Sequence, residues 1–223
     1  MSDIVLRSPF ADSNISFAQV GSEIVDPVSF LLPSERLLLR GGESLKWIEE
    51  YSRGRMAGRK ALNLIDACLN IAILRGQSGE PVFPKGYVGS ISHSLSIGVA
   101  CASSTSFYQG LGIDIENFKK KRQLGIFNKI STAKEQSWIF EIQDEQEILK
   151  RGVLIFSIKE SIYKAMYQAF KVRLKYMDAE VFPILDEGEA SVSILKDGFE
   201  DMVMVCGFGF HEGLVVSGVG VRN

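Results

Sequence analysis

From residue 45 onward the apolar positions fall into helical step. Leu62, Ile65, Leu69 and Ile73 follow one another at three- and four-residue intervals, which predicts a long amphipathic helix over residues 45–74. Gly41-Gly42 breaks the chain just before it, and Ser44 is placed to cap its first turn. Gly76 and Gly79 then end it, and Arg59 lies near the rim of the apolar stripe by helical angle. The first forty residues read instead as short strands and loops, punctuated by Pro9, Pro27 and Pro33. Beyond Pro81, Pro84 and Gly86 the pattern changes. Residues 87–93 and 96–102 predict a pair of strands with a short polar link at His93-Ser94, and residues 110–116 a third strand.

The second half repeats the mixture. Thr132 with Glu135 three residues later makes a capping box and predicts a helix reaching about Leu149, with Gly152 marking a break. A further helix carries Phe156, Ile162, Ala165, Met166, Ala169 and Phe170 on its apolar side, together with Glu160 and Lys164. Residues 191–195, 202–208 and 214–219 read as closing strands joined by glycine-rich turns. Helices and antiparallel-looking strands in each half predict an α+β fold. Residues 1–106 form an N-terminal subdomain with the basic helix and a Ser-His strand end. Residues 107–223 form a C-terminal subdomain with the acidic strand and the Lys-Glu helix. No internal repeat is visible at the level of residues.

Composition adds limits. With 223 residues, 46% hydrophobic and 23% charged, the chain has ordinary globular proportions and a sizeable core. A net charge of -2 and a pI near 5.8 argue against nucleic acid as a partner, since proteins that track phosphate backbones are basic. Cys68, Cys101 and Cys206 lie far apart without zinc-ligand spacing and read as buried thiols in a reducing compartment. The N-terminus lacks a signal pattern, and no apolar run approaches the about 20 residues that span a bilayer. A cytoplasmic protein without membrane contact is the expectation. A phosphate-binding P-loop, a Gly-x-Ser-x-Gly elbow and a dinucleotide fingerprint are all missing.

The candidate chemistry is acidic and lysine-based. In a strand, Asp114 and Glu116 share one face while Ile113 and Ile115 take the other. Two adjacent carboxylates repel, and a divalent cation would relieve them; a solvent-facing strand end is the plainer reading. Glu160 and Lys164 stand one helical turn apart, as a surface ion pair does and as an acid and a base beside a phosphate would. His93, between Ser92 and Ser94, suits a phosphate if protonated, or is a surface histidine at a hairpin. Arg53, Arg55, Arg59 and Lys60 give the long helix a basic segment, either a solvated face or a bidentate phosphate grip. His211 has no comparable setting. Lys119 to Arg122 form a basic loop directly after Glu116.

Taken in order, these segments resemble the 4′-phosphopantetheinyl transferases, and within them the surfactin-type branch and its enterobactin synthase component D-like enzymes. The resemblance rests on Gly58-Arg59, Gly79-x-Pro81-x-x-Pro84-x-Gly86, Ser90-Ile91-Ser92-His93, Gly112-Ile113-Asp114-Ile115-Glu116 and Phe156-Ser157-x-Lys159-Glu160-Ser161-x-Tyr163-Lys164. It implies two similar α+β subdomains with a pseudo-twofold relation, coenzyme A bound between them, and Mg²⁺. The reaction it implies moves the phosphopantetheine arm to a serine of an apo carrier protein and releases adenosine 3′,5′-bisphosphate, in an enzyme acting as a monomer. Asp114, Glu116 and Glu160 resemble the metal ligands, and Lys164 the lysine on the pyrophosphate. Glu160 or a water on the metal takes the serine proton. His93 with Ser92 beside it, Arg53 and Arg59 fall at the nucleotide end. Three oxygen ligands suit Mg²⁺ as His or Cys would not. The chain departs from the family at Glu80, where a basic residue is frequent, at Phe156, where Trp is common, and at Gly54-Arg55, where an acidic-aromatic pair is frequent. The resemblance favours siderophore or other secondary metabolism over fatty-acid synthesis. Two competing readings are a non-catalytic coenzyme-A- or carrier-binding module of the same fold and a Mg²⁺-dependent phosphohydrolase.

Overall fold

A computed structural model describes residues 4–21, 26–39, 41–67 and 71–223. The N-terminal half contributes strand β1 (Ser16–Val20), short helix α1 (Pro33–Arg36) and long helix α2 (Leu45–Ile65). The two-residue strands β2 (Leu74–Arg75) and β3 (Pro81–Val82) follow, then the hairpin β4 (Tyr87–Ser94) and β5 (Ile97–Ser104). β5 is the middle of an antiparallel sheet with β1 and β4 on its flanks. α2 covers this sheet, with Ala57, Ala61 and Leu62 packed against Ala18, Val20, Ala100 and Ala102.

α2 starts as its pattern predicts, with the Ser44 hydroxyl accepting from the Trp47 amide at 3.2 Å. It stops at Ile65, nine residues short of the predicted end. Ile73 is in phase with the stripe and fully buried, but as extended chain whose amide donates to Glu35 Oε1 at 3.0 Å. Periodicity alone could not separate a helical core residue from an extended one entering the same cluster. Gly76 and Gly79 accordingly do not end a helix; they turn the chain between β2 and β3. Leu69 and Cys68 lie outside the described residues. Cys101 and Cys206 are free, and burial pushes both thiols up to about 12.

The C-terminal half runs β6 (Tyr108–Asn117), α3 (Phe127–Ile130), α4 (Ala133–Phe140), α5 (Glu145–Phe170), β7 (Ala179–Ile184), β8 (Glu189–Ile194), β9 (Met204–His211) and β10 (Leu214–Arg222). Its sheet has the order β6-β10-β9-β8-β7, with β6-β10, β10-β9 and β8-β7 antiparallel and β8 joined to β9 at Glu189 and Gly207. The helix predicted from Thr132 ends at Phe140, and α5 then runs unbroken through Gly152. Gly152 is not a break. A Cβ there would run into the Phe127 ring, so the glycine admits an aromatic side chain against the helix. Leu6, Val88, Val99, Leu111, Ile113 and Val216 belong to one buried cluster, so the halves share a core along β6. Among the described residues no helix is long and apolar enough to cross a membrane.

The halves repeat one polar device. In the first, Glu35 sits at the third position of α1, accepts from the Leu32 and Ile73 amides, and pairs with Arg59 on α2. In the second, Glu135 sits at the third position of α4, accepts from the Thr132 and Val181 amides, and pairs with Lys159 on α5 at 2.7 Å. Each acid is buried, and each ties a short helix, a long helix and an extended segment together. Lys159 also donates to the Ile130 carbonyl at 2.9 Å and the Tyr176 carbonyl at 2.6 Å. Removing one partner of such a pair strands a buried charge. Lys159→Met is expected to lower unfolding free energy by ~3–5 kcal/mol in denaturant titrations, and Lys159→Met with Glu135→Leu to recover part of it. Equal losses in the single and double variants would contradict the pairing.

Candidate active site

The seam between the halves is filled by one polar stripe of α5. Gln168 bridges the two backbones: its amide nitrogen donates to the Gly89 carbonyl of β4, and its oxygen accepts from the Leu111 amide of β6, both at 2.9 Å. One turn earlier, Lys164 Nζ donates to Asp114 Oδ1 and the Ile113 carbonyl, both at 2.8 Å, and to Ser92 Oγ at 3.3 Å. Ser92 Oγ in turn donates to Asp114 Oδ1 at 2.9 Å. β4, β6 and α5 therefore meet at one ammonium. The close approach depends on Gly112, where a Cβ would collide with the Ser161 carbonyl oxygen.

The acidic side of β6 does not face solvent. α5 covers Asp114, which is only 6% exposed, and its Oδ2 is buried without a hydrogen-bond partner. Glu116 is half-buried and paired with Arg122, whose guanidinium lies over the Phe156 ring at 5.7 Å. Burial, followed by the neighbouring Asp114 charge, raises the Glu116 carboxyl above its ordinary range, against the pull of Arg122. Glu160 Oε1 accepts from the Tyr176 hydroxyl at 2.7 Å. Burial and then the bond to Glu160 push the Tyr176 phenol up, with Asp114 and Glu116 adding to it. Tyr176 thus feels all three carboxylates. Each carboxylate has its own partner here, and among the described residues no three His, Cys, Asp or Glu side chains converge closely enough to ligate one ion.

The donor set nevertheless fits a hard dication. Its members are oxygens, one of them buried and unpaired, and one carboxyl is destabilised in its charged form by burial and by its neighbour.

The nucleotide-end candidates separate. His93 is exposed at the end of β4, with Nδ1 3.9 Å from Glu50 Oε2. Desolvation lowers its pKa, outweighing Glu50, and Lys164 lowers it further. Of the two settings read from the sequence, a phosphate site and a hairpin surface, the exposed position at the end of β4 gives the imidazole no phosphate partner here. Arg53 pairs with Glu49 at 3.3 Å along α2. Arg59 spends its guanidinium on Glu35 and the Phe30 carbonyl and is the N-terminal counterpart of Lys159. A cleft of about 730 Å³ runs from Gly79, Pro81 and Phe83 past β4 to Tyr163, Lys164 and Tyr167 of α5.

The profile described as the 4′-phosphopantetheinyl transferase superfamily matches residues 110–207, and that of the 4′-phosphopantetheinyl transferase N-terminal domain matches residues 45–103. Enterobactin synthase component D of Salmonella typhi is 30% identical over 171 residues, covering 68% of this chain and 67% of that protein. The chain belongs to the 4′-phosphopantetheinyl transferase superfamily. The 4′-phosphopantetheinyl transferase Svp of Streptomyces mobaraensis is 28% identical over 206 residues, 88% of this chain and 80% of its own. The Thermotoga maritima holo-[acyl-carrier-protein] synthase overlays 52% of this chain and 64% of its own at 18% identity, with a TM-score of 0.42.

Several residues of the candidate site carried no signal of their own. Tyr176 reaches Glu160 from a turn beyond α5, and its placement depends on the Lys159 contact to its carbonyl. Arg122 was visible only as part of a charged loop. Gln168 lies four residues beyond Lys164, so helical spacing could have placed it on the same stripe. Gly112→Ala is expected to lift α5 off β6 and lower unfolding free energy by ~1–3 kcal/mol. Gly125→Ala, with open space around it, serves as control in the same thermal melts. Equal melting points for the two variants would contradict the tight seam.

Proposed function

We propose that this protein transfers the 4′-phosphopantetheine arm of coenzyme A to a serine of an apo carrier protein and releases adenosine 3′,5′-bisphosphate. The observation that carries the reading is the Lys164 ammonium bound to Asp114 Oδ1 while Asp114 Oδ2 lies buried and unpaired. A cation and a vacant carboxylate oxygen side by side suit a metal-bound polyphosphate. Asp114, Glu116 and Glu160 would hold Mg²⁺, whose charge offsets that of the pyrophosphate and the leaving phosphate.

The remaining chemistry belongs to the chain. Lys164 sets its charge against the pyrophosphate from the floor of the cleft. The carrier serine oxygen forms the new bond to the β-phosphorus, and the bond from that phosphorus to the bridging oxygen breaks. The electron pair leaves with the bisphosphate nucleotide. Glu160 takes the serine proton, held in place by Tyr176. Ser92 positions Lys164 and Asp114, and His93 stands at the nucleotide end as a hydrogen-bonding imidazole. Arg53, paired with the half-buried Glu49, and Arg59, in its buried pair with Glu35, support α2. All of these groups come from one chain, which supports action as a monomer.

Lys119, Lys120 and Lys121 are exposed beside Glu116, and their charge complements the acidic surface around a carrier's serine. The similarity to enterobactin synthase component D supports a siderophore or other secondary-metabolite synthase as the source of the carrier.

Intact-mass analysis of an apo carrier incubated with the protein, coenzyme A and Mg²⁺ is expected to show one added phosphopantetheine, abolished by chelator. Glu160→Gln is expected to lower the rate by about 10²-fold or more. Wild-type turnover in that variant would remove Glu160 from both roles. Reversing charge at Lys119, Lys120 and Lys121 is expected to raise KM for the carrier and leave KM for coenzyme A in place. An unchanged carrier KM would retire the docking loop.

A further inference from the structure

The large cleft lies along the first parts of β4 and β6, and its lining on those strands stops at Ile91 and Leu111. Beyond it come Ser92 and Asp114, joined at 2.9 Å. β4 and β6 run in one direction here, since Gln168 ties Gly89 to Leu111 before Ser92 meets Asp114. The hairpin tip after Ser94 therefore stands at the Asn117 end of β6, across Asp114 and Glu116 from the cleft. In the proposed reaction a carrier serine must reach a phosphorus beside Asp114 and Lys164. With coenzyme A along the cleft, the ends of these two strands are the side left for the second substrate.

That tip is built against local preference. Only Leu95 and Ser96 link β4 to β5, with Ser94 and Ile97 paired across the turn. Leu95 has a φ of 54°. Glycine is the usual occupant of such a position in a two-residue link, because a Cβ there crowds the backbone. Packing does not offset this strain, as the Leu95 side chain is 61% exposed. Backbone strain and exposure both disfavour leucine at this point, and a partner that covers it would remove the cost of exposure.

The tip has cations on two sides. On α2, Glu50 lies 3.8 Å from Lys46 and 3.9 Å from His93 at the end of β4, so the exposed Lys46 stands near the tip. On the other side β6 runs out into the exposed Lys119, Lys120 and Lys121. An apolar projection between basic margins is complementary to an apolar side chain flanked by acids. We propose that Leu95 is an apolar anchor for the carrier protein, packing on an apolar residue close to the modified serine while Lys46 and the 119–121 loop face the acids around it. The partner's identity rests on the transferase reading; the apolar contact at the tip does not.

The test uses an apo carrier domain of a siderophore synthetase, both as substrate and with its serine changed to alanine for calorimetric binding. Asparagine and glycine accept the left-handed turn, so Leu95→Asn and Leu95→Gly are expected to melt no lower than the wild type. Both are expected to weaken carrier binding by about fivefold or more and to raise KM for the carrier to match, with kcat and KM for coenzyme A held within about twofold. Leu95→Met keeps an apolar tip and is expected to retain carrier binding. Carrier binding by Leu95→Asn that matches the wild type overturns the inference, and normal transfer in that case leaves the transferase reading standing. Lower melting points in both variants, or equal losses for coenzyme A and carrier, would make Leu95 a structural residue and also overturn it. Leu95-dependent carrier binding in a protein that transfers nothing supports the anchor and overturns the transferase reading.

Discussion

The structure turns on the Lys164 ammonium. It has three protons, and the seam offers three acceptors: Asp114 Oδ1, the Ile113 carbonyl and Ser92 Oγ. Those acceptors come from β4 and β6, which belong to different sheets, and the donor comes from the helix laid over both. A half-buried ammonium is tolerable only when its bonds are made. Satisfying this one fixes the distance between the sheets and sets a carboxylate beside a cation. The two sheets and the candidate site therefore depend on the same contact.

Around that contact the acids outnumber the cations. Asp114, Glu116 and Glu160 face Lys164 and Arg122, leaving one carboxylate without a charged partner. Tyr176 serves Glu160 through a neutral hydroxyl, which orients it without cancelling its charge. The excess is concentrated where burial weakens screening by solvent. The buried Glu35–Arg59 and Glu135–Lys159 pairs hold the two long helices against their short partners, so the site sits on helices that are each anchored away from it. The same device appears in both halves, yet only the second follows its anchoring cation with a carboxylate: Lys159 precedes Glu160, whereas Arg59 precedes Lys60.

Much of this was legible in the sequence. Alternation along β6 separated Asp114 and Glu116 from Ile113 and Ile115, the capping box at Thr132 marked a helix start, and the one-turn spacing of Glu160 and Lys164 put acid and base on one helix. The family followed from the order of short motifs. What the sequence hid was long-range. Ile73 kept helical phase while being extended, because only the Glu35 contact distinguishes the two. Gly152 read as a break because the Phe127 ring that occupies its place is 25 residues away. Arg59 fell at the nucleotide end by resemblance, and nothing near it in sequence announces the Glu35 that it meets. Local periodicity reports which face is apolar; it does not report which buried charge a given arginine will meet.

The proposed function requires Asp114, Glu116 and Glu160, each with its own partner here, to close on one hard cation beside Lys164. Anomalous diffraction from crystals grown with Mn²⁺ and coenzyme A tests it most directly. A single manganese peak is predicted on Asp114 Oδ2, with both glutamates in its coordination shell and Arg122 released from Glu116. Coenzyme A seated in the cleft with no manganese at Asp114, or with the ion held by other residues, would contradict it.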